Sequence, residues 1–259
     1  MILEDAIKLA VRILENGTEY IFVRTIIDKL FKETKDYTIE NIALRLSVVD
    51  SFYSTNMNRR LFGITDLATE IYNIGDEKSI IEEIEKYKKT ETSKIDELLN
   101  NNYGIRKTGK VVGEARSLIS KYLYFVTEHN FPIEDNLVKN NINSVLKYFS
   151  EPEFKSDDLL KNLIDFCTKR NIKFVEFDNF MWLFGKVNKG SFSLIFKKDN
   201  YLKIINTLQI EGETSTEFDK NFATAIHDVQ NVEKIKMLIT EELYKFLLLS
   251  IDIYNHENN

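Results

Sequence analysis

The sequence predicts an all-α fold. Nine glycines and two prolines among 259 residues leave few turn and strand-breaking positions. Apolar residues recur mostly three and four apart, the period of a helix face. With 43% hydrophobic and 12% aromatic residues the chain has enough apolar surface to bury a sizeable core, so disorder is not expected.

The elements follow in order. Ile7, Val11 and Leu14 mark an opening helix that stops near Asn16-Gly17, and Ile21 to Phe31 a second. Thr38, with Glu40 and Asn41 behind it, reads as the N-cap of a helix running through Leu46 and Phe52. A polar junction, Ser54 to Arg60, separates it from a helix over Ile64 to Ile74. Gly75-Asp76 then opens a helix of mixed charge through Glu82 to Lys89, the pattern of a solvated face. Asn100-Asn-Asn-Tyr-Gly104 is a break, and a basic, glycine-bearing segment follows to Gly113. Arg116 to Phe125 is an apolar helix. Pro132 marks the next boundary, and a helix beginning at Ile133 or just after would hold Glu134 and Asp135 in its first turn, where free N–H groups and the helix dipole stabilise carboxylates. Later helices are expected near Ser156, Phe177 and Val232, and Phe192 to Phe196 fits either a short strand or a helix. The expected arrangement is one all-α body over residues 1–259, made of two helical lobes.

Composition also bounds function. No apolar run reaches membrane-spanning length, and the acidic, amphipathic N-terminus is unlike a signal peptide, so a cytoplasmic protein with no membrane partner is expected. The single Cys167 excludes an intrachain disulfide and any four-cysteine zinc or iron–sulfur site. His129, His227 and His256 lack ligand spacing, so neither metal nor cofactor is expected. The net charge of −6 is a poor global match to nucleic acid, and a local basic patch would have to carry such binding.

Residues 104–113 offer that patch. Gly104-Ile-Arg-Lys-Thr-Gly109-Lys110-Val111 nearly matches the phosphate loop GxxxxGK[ST], but Val111 replaces the hydroxyl residue and no strand precedes Gly104. It reads better as a backbone-binding hairpin. Arg106, Lys107 and Lys110 supply charge, and Gly109 and Gly113 permit close approach of phosphate. An exposed turn with solvating lysines is the alternative. At the earlier junction Tyr53, Asn56, Arg59 and Arg60 are of the types that stack on bases and bind phosphates, against a capped helix end with a basic first turn. Lys121 falls at the edge of the Leu118, Tyr122, Phe125 stripe. It is expected either to snorkel its charge to water or, if desolvated, to act as an amine nucleophile. Trp182, with Phe180 and Phe184, reads as helix-contact packing.

Three segments, in order, resemble the helix–hairpin–helix DNA glycosylase superfamily of endonuclease III and 8-oxoguanine DNA glycosylase, and more closely a divergent bacterial branch of it. They are Val49-Asp-Ser-Phe-Tyr-Ser-Thr-Asn-Met57, Ser117-Leu-Ile-Ser-Lys-Tyr-Leu-Tyr-Phe125 with Phe131-Pro-Ile-Glu-Asp135, and Phe177-Asp-Asn-Phe-Met-Trp-Leu-Phe-Gly-Lys186. The resemblance covers residues 49–186 as a core and leaves 1–48 and 187–259 as flanking helices. It implies an all-α fold with two helical lobes flanking a DNA-binding cleft, and base excision from duplex, damaged DNA, with Asp135 as the essential acid and Glu134, one residue earlier, as the alternative. A carboxylate there would stabilise positive charge at the anomeric carbon. The sequence departs from the lyase-type pattern: Ala115 and Arg116 stand where that pattern has its lysine, with Lys110 too early and Lys121 too late. The hairpin glycines lie four apart rather than two. A monofunctional glycosylase is therefore expected, with a non-catalytic nucleic-acid or protein-binding module on the same scaffold as the alternative.

Overall fold

A computed structural model describes residues 1–15, 18–154, 158–210, 214–227 and 231–258. It is all-α. Among the described residues there are fourteen α-helices, two 3-10 turns and no strand, and no helix is long and apolar enough to cross a membrane. The chain divides into two compact units, one of residues 1–22, 136–157 and 176–259, the other of residues 23–135 and 158–175.

The second unit carries most of the predicted site. Its helices are the latter part of α2 (Glu19–Glu33), α3 (Ile39–Tyr53), α4 (Gly63–Ile74), α5 (Glu77–Lys88), α6 (Lys94–Asn100), α7 (Arg116–Val126) and α9 (Leu159–Arg170). Local chemistry sets their starts. Thr38 Oγ1 accepts the Asn41 N–H at 3.2 Å, the Asp76 carboxylate accepts the Ser79 N–H at 2.9 Å, and Ser93 Oγ accepts the Ile95 N–H at 3.0 Å. The short α6 has no counterpart in the sequence reading.

Helix α7 is the axis of this unit. Every residue from Leu118 to Val126 is buried, so the helix has no solvent face and the expected stripe with a polar edge is absent. Leu118, Ile119, Tyr122, Leu123 and Phe125 join Leu46, Ile71, Ile84, Leu98 and Phe131 in one apolar core. Arg45 is the buried cation of that core. It donates to the carbonyls of Phe31 and Thr34 at 2.8 and 2.7 Å, pairs with Glu77 at 3.1 Å, and lies over the Phe31 ring. Those partners tie the end of α2 to α3 and α5.

The first unit holds α1 (Leu3–Glu15), α8 (Asn136–Tyr148), most of α10 (Phe174–Asn188), and α11 to α14 (Lys198–Leu208, Ser215–His227, Val232–Leu238, Glu241–Asn258). Helix α14 packs on α1 and α8. Phe180 stacks on Phe184 at 6.2 Å and meets Phe246 edge-on at 5.9 Å, while Trp182 stacks on Tyr20 at 4.3 Å. Phe192 to Ile195 is a 3-10 turn, neither strand nor α-helix, and its Phe192 packs on Phe222 at 5.1 Å. Helix α10 starts three residues before the expected Phe177. The helix starts and stops expected near Ser156 and Asn16-Gly17 fall on residues outside the described ones; α9 begins at Leu159 with Asp158 as its cap.

Candidate functional site

Asp135 and Lys121 meet. The lysine Nζ lies 3.5 Å from Asp135 Oδ2, with the lysine side chain 2% exposed and the aspartate 21%. One turn earlier on α7, Ser117 Oγ accepts a hydrogen bond from the same Nζ at 2.9 Å. The Tyr53 ring, at the end of α3, has its centroid 5.5 Å from the ammonium. The structure corrects the expectation that Lys121 snorkels. Snorkelling needs a path to water along the helix surface, and α7 is buried on all sides. The charge is held inside by a carboxylate, a hydroxyl and a ring face.

Glu134 is not interchangeable with Asp135. It is buried, and its Oε2 accepts from Arg116 Nε at 2.9 Å. Arg116 also donates to Asp158 at 3.0 Å and to Asn100 at 3.1 Å. Burial works against the Arg116 charge, but Glu134 and Asp158 outweigh it and raise the arginine's pKa. Ser120 Oγ holds the backbone of the acidic pair, accepting the Glu134 N–H at 3.0 Å and donating to the Glu134 carbonyl at 3.4 Å. Neither acid lies in a helical turn as expected. Residues 132–135 have no regular secondary structure, and α8 begins at Asn136. Pro132 and the Ser120 bonds keep that stretch out of the helix. Sequence reading missed Ser117 and Ser120 as partners, although their spacing from Lys121 and Arg116 on one helix was visible.

The basic segment is a hairpin. Arg106 N–H donates to the Lys110 carbonyl and Gly109 N–H to the Arg106 carbonyl, each at 2.8 Å, which closes a tight turn with Gly109 at φ +78°. Ile105 bridges antiparallel to both Val111 and Leu61. Arg106, Lys107, Gly109, Lys110 and Gly113 are all exposed. At the junction Arg59 and Asn56 are exposed, whereas Arg60 faces inward. Its guanidinium donates to the carbonyls of Tyr103, Gly113 and Glu114 at 3.3, 2.6 and 3.2 Å. Arg60 is thus a clamp on the hairpin, with both guanidinium nitrogens Nη1 and Nη2 bonded to backbone carbonyls. Burial lowers its pKa, with Asp50 opposing. Asp50, itself buried, accepts the Met57 and Asn58 N–H groups at 2.8 Å each and so fixes the turn that leads to Arg59 and Arg60.

One pair stands apart. His129 Nε2 lies 2.8 Å from Asp28 Oδ1, and the ring stacks on Tyr124 at 4.5 Å. Burial pushes the Cys167 thiol up to about 12, which leaves it un-ionised at neutral pH. Among the described residues no three His, Cys, Asp or Glu side chains converge as metal ligands. No protein-family model, no curated protein and no solved structure matches this chain.

Proposed function

We propose that the chain is a monofunctional DNA N-glycosylase, binding duplex through the hairpin and cutting the base–sugar bond beside Asp135. The observation that carries this reading is the buried Lys121 paired with the partly exposed Asp135 carboxylate. A carboxylate oriented by a fixed cation is suited to stabilising an oxocarbenium-like sugar. In the reaction the bond from the sugar carbon to the base nitrogen breaks. Its electron pair leaves with the base, which takes up a proton. Water adds its oxygen to the sugar carbon and loses its proton toward Asp135. Lys121 orients the acid and is not the attacking group, because its ammonium is already engaged by Asp135 and Ser117. The target nucleotide must leave the stack to reach such a group, at a cost smallest for damaged or mismatched bases.

The depth of Lys121 favours a second reading, in which the pair is a strut of a non-catalytic binding module on the same scaffold. One experiment separates the two. Oligonucleotide duplexes carrying single damaged bases are incubated with protein, treated with alkali and resolved for strand scission, for wild type, Asp135→Asn and Lys121→Gln. The glycosylase reading expects scission by wild type, a loss of about two to four orders of magnitude in Asp135→Asn with duplex binding retained, and no borohydride-trapped protein–DNA adduct. Absence of scission from every lesion tested, with a lowered melting temperature in Asp135→Asn, would establish the strut. A trapped adduct lost in Lys121→Gln would make the lysine the nucleophile.

A further inference from the structure

We infer that the cavity beside the Asp28–His129 pair is a binding site for a short peptide with free ends, two or three residues long. Neither Lys121 nor Asp135 lines this cavity, so the site is separate from the acid proposed for base excision.

The histidine is mounted on a strained turn. Just past the end of α7, Glu128 and His129 both have left-handed backbones, φ +49° and +72°. Glycine takes that conformation freely, and other residues do so at a cost of about 1 kcal/mol or more each. The His129 N–H closes the turn on the Tyr124 carbonyl at 2.7 Å, and the imidazole folds back onto the Tyr124 ring. The Asp28 carboxylate only accepts, so in the neutral ring Nε2 carries the proton and Nδ1 keeps its lone pair. Nδ1 has no hydrogen-bond partner among the described residues, and the side chain is partly exposed. A ring anchored at one nitrogen and open at the other is suited to accept an N–H from a ligand.

His129 lines a cavity of about 740 Å³, within the size range of small-ligand sites. Phe31, Phe125 and Val126 give it apolar wall. Its charged residues are of both signs. Asp28 is bonded to His129, and Glu128 is next to His129 in the chain. Lys32 lies one turn of α2 beyond Asp28, about 6 Å along the axis, and Lys35 follows the end of that helix. Glu128, Lys32 and Lys35 have no ion pair among the described residues, while Glu77, also on the wall, is taken by Arg45 at 3.1 Å. Unpaired charges of both signs select a zwitterion. A nucleotide, charged with one sign, would leave the acids facing it. The spacing then selects the length. A single amino acid carries both charges on one carbon, whereas an extended peptide advances about 3.3–3.6 Å per residue, so two or three residues part the ends by about 7–10 Å. The ammonium end pairs with Asp28 and Glu128, the carboxylate end with Lys32 and Lys35, and a backbone N–H donates to His129 Nδ1.

The test uses the full chain and the tripeptide Gly-Phe-Gly with free ends, beside its N-acetylated and C-amidated forms. Binding is followed by the NMR signal of the His129 ring, assigned by its loss in His129→Gln. The peptides are titrated to about 10 mM, the range for a small ligand held by a few contacts. The free tripeptide should shift the His129 signal and leave those of the other two histidines in place. Blocking either end should weaken binding by about tenfold, the loss of one charged contact. Lys32→Gln/Lys35→Gln should bind the free and amidated peptides alike, and Asp28→Asn/Glu128→Gln the free and acetylated ones alike. The lysines are exposed, so the first variant tests the site even where the second lowers the melting temperature. No shift at His129, or equal binding of all three peptides by wild type, would overturn the site. Binding that needs the carboxylate alone and is displaced by inorganic phosphate would reduce it to an anion site and overturn the peptide assignment. Neither result depends on strand scission, so failure of the glycosylase assay is a separate outcome.

Discussion

Arg116 Nε and Glu134 Oε2 meet at 2.9 Å, and this buried pair decides which of two adjacent acids faces the lysine. With Glu134 turned toward Arg116, Asp135 is left to Lys121.

Removing one partner of that pair is expected to be costly. Arg116→Met removes the guanidinium 2.9 Å from the buried Glu134 carboxylate and should cost about 3–5 kcal/mol in urea unfolding. Glu134→Gln keeps the shape and should cost roughly 1–3 kcal/mol. The double variant Arg116→Met/Glu134→Leu should lose less than the sum of the single losses, because the uncompensated charge is gone. Additive losses would show that the two residues act independently.

The Arg60 clamp predicts a local effect. Arg60→Ala removes the donor to three carbonyls of the hairpin's flanks. Hydrogen exchange at the Ile105 and Val112 amides should accelerate by a factor of about 10 or more, equivalent to at least ~1.4 kcal/mol of local stability. Lys at this position cannot reproduce the effect, since a single ammonium lacks the guanidinium fork. Unchanged exchange in Arg60→Lys would argue that one carbonyl contact suffices.

Two glycines of the same hairpin should respond differently. Gly104 has φ +72° and lies against the backbone of Leu61 and Gly63, so Gly104→Ala combines strain with a clash and should destabilise by more than about 2 kcal/mol. Gly109 has φ +78° but nothing within 4 Å of an added Cβ. Gly109→Ala should therefore cost only the backbone strain, roughly 1 kcal/mol, with the fold intact. Equal losses, measured by urea denaturation, would remove the argument from close approach.

Acid should weaken the α5–α6 connection. Lys86 Nζ and the Lys94 N–H both bond the Glu83 carboxylate, at 2.6 and 2.7 Å. These bonds, the Lys86 one foremost, depress the Glu83 pKa below the ordinary 4.5. A carboxyl depressed in the folded state gives stability that is fully present above its unfolded value and is lost as pH falls through the folded one. The melting temperature should thus fall more steeply in wild type than in Glu83→Gln below about pH 4.5. Parallel curves would mean that the contact persists in the unfolded chain.

Much of this architecture was legible because it rests on short-range rules. The Thr38 cap, the helix opening at Gly75-Asp76, the boundaries of α3 and α4, and the Asn-rich break before Gly104 all follow from neighbouring residues, and the structure places them as the sequence predicts. The hairpin was legible as a turn rich in glycine and lysine. The role of Arg60 was not, because the carbonyls it serves lie more than forty residues away. The choice between Asp135 and Glu134 was equally out of reach: a register argument sees two adjacent acids, and only the Arg116 network distinguishes them.

The chain alone fixed the helical class, because helix period, capping and composition act within a few positions of each residue. Tertiary structure alone decided the state of Lys121. Periodicity placed it at an edge, where water would be one rotamer away, but elements distant in sequence enclose α7 on every side. Whether a charge is solvated depends on what packs around its helix, and that information lies in contacts between segments that the order of residues does not show.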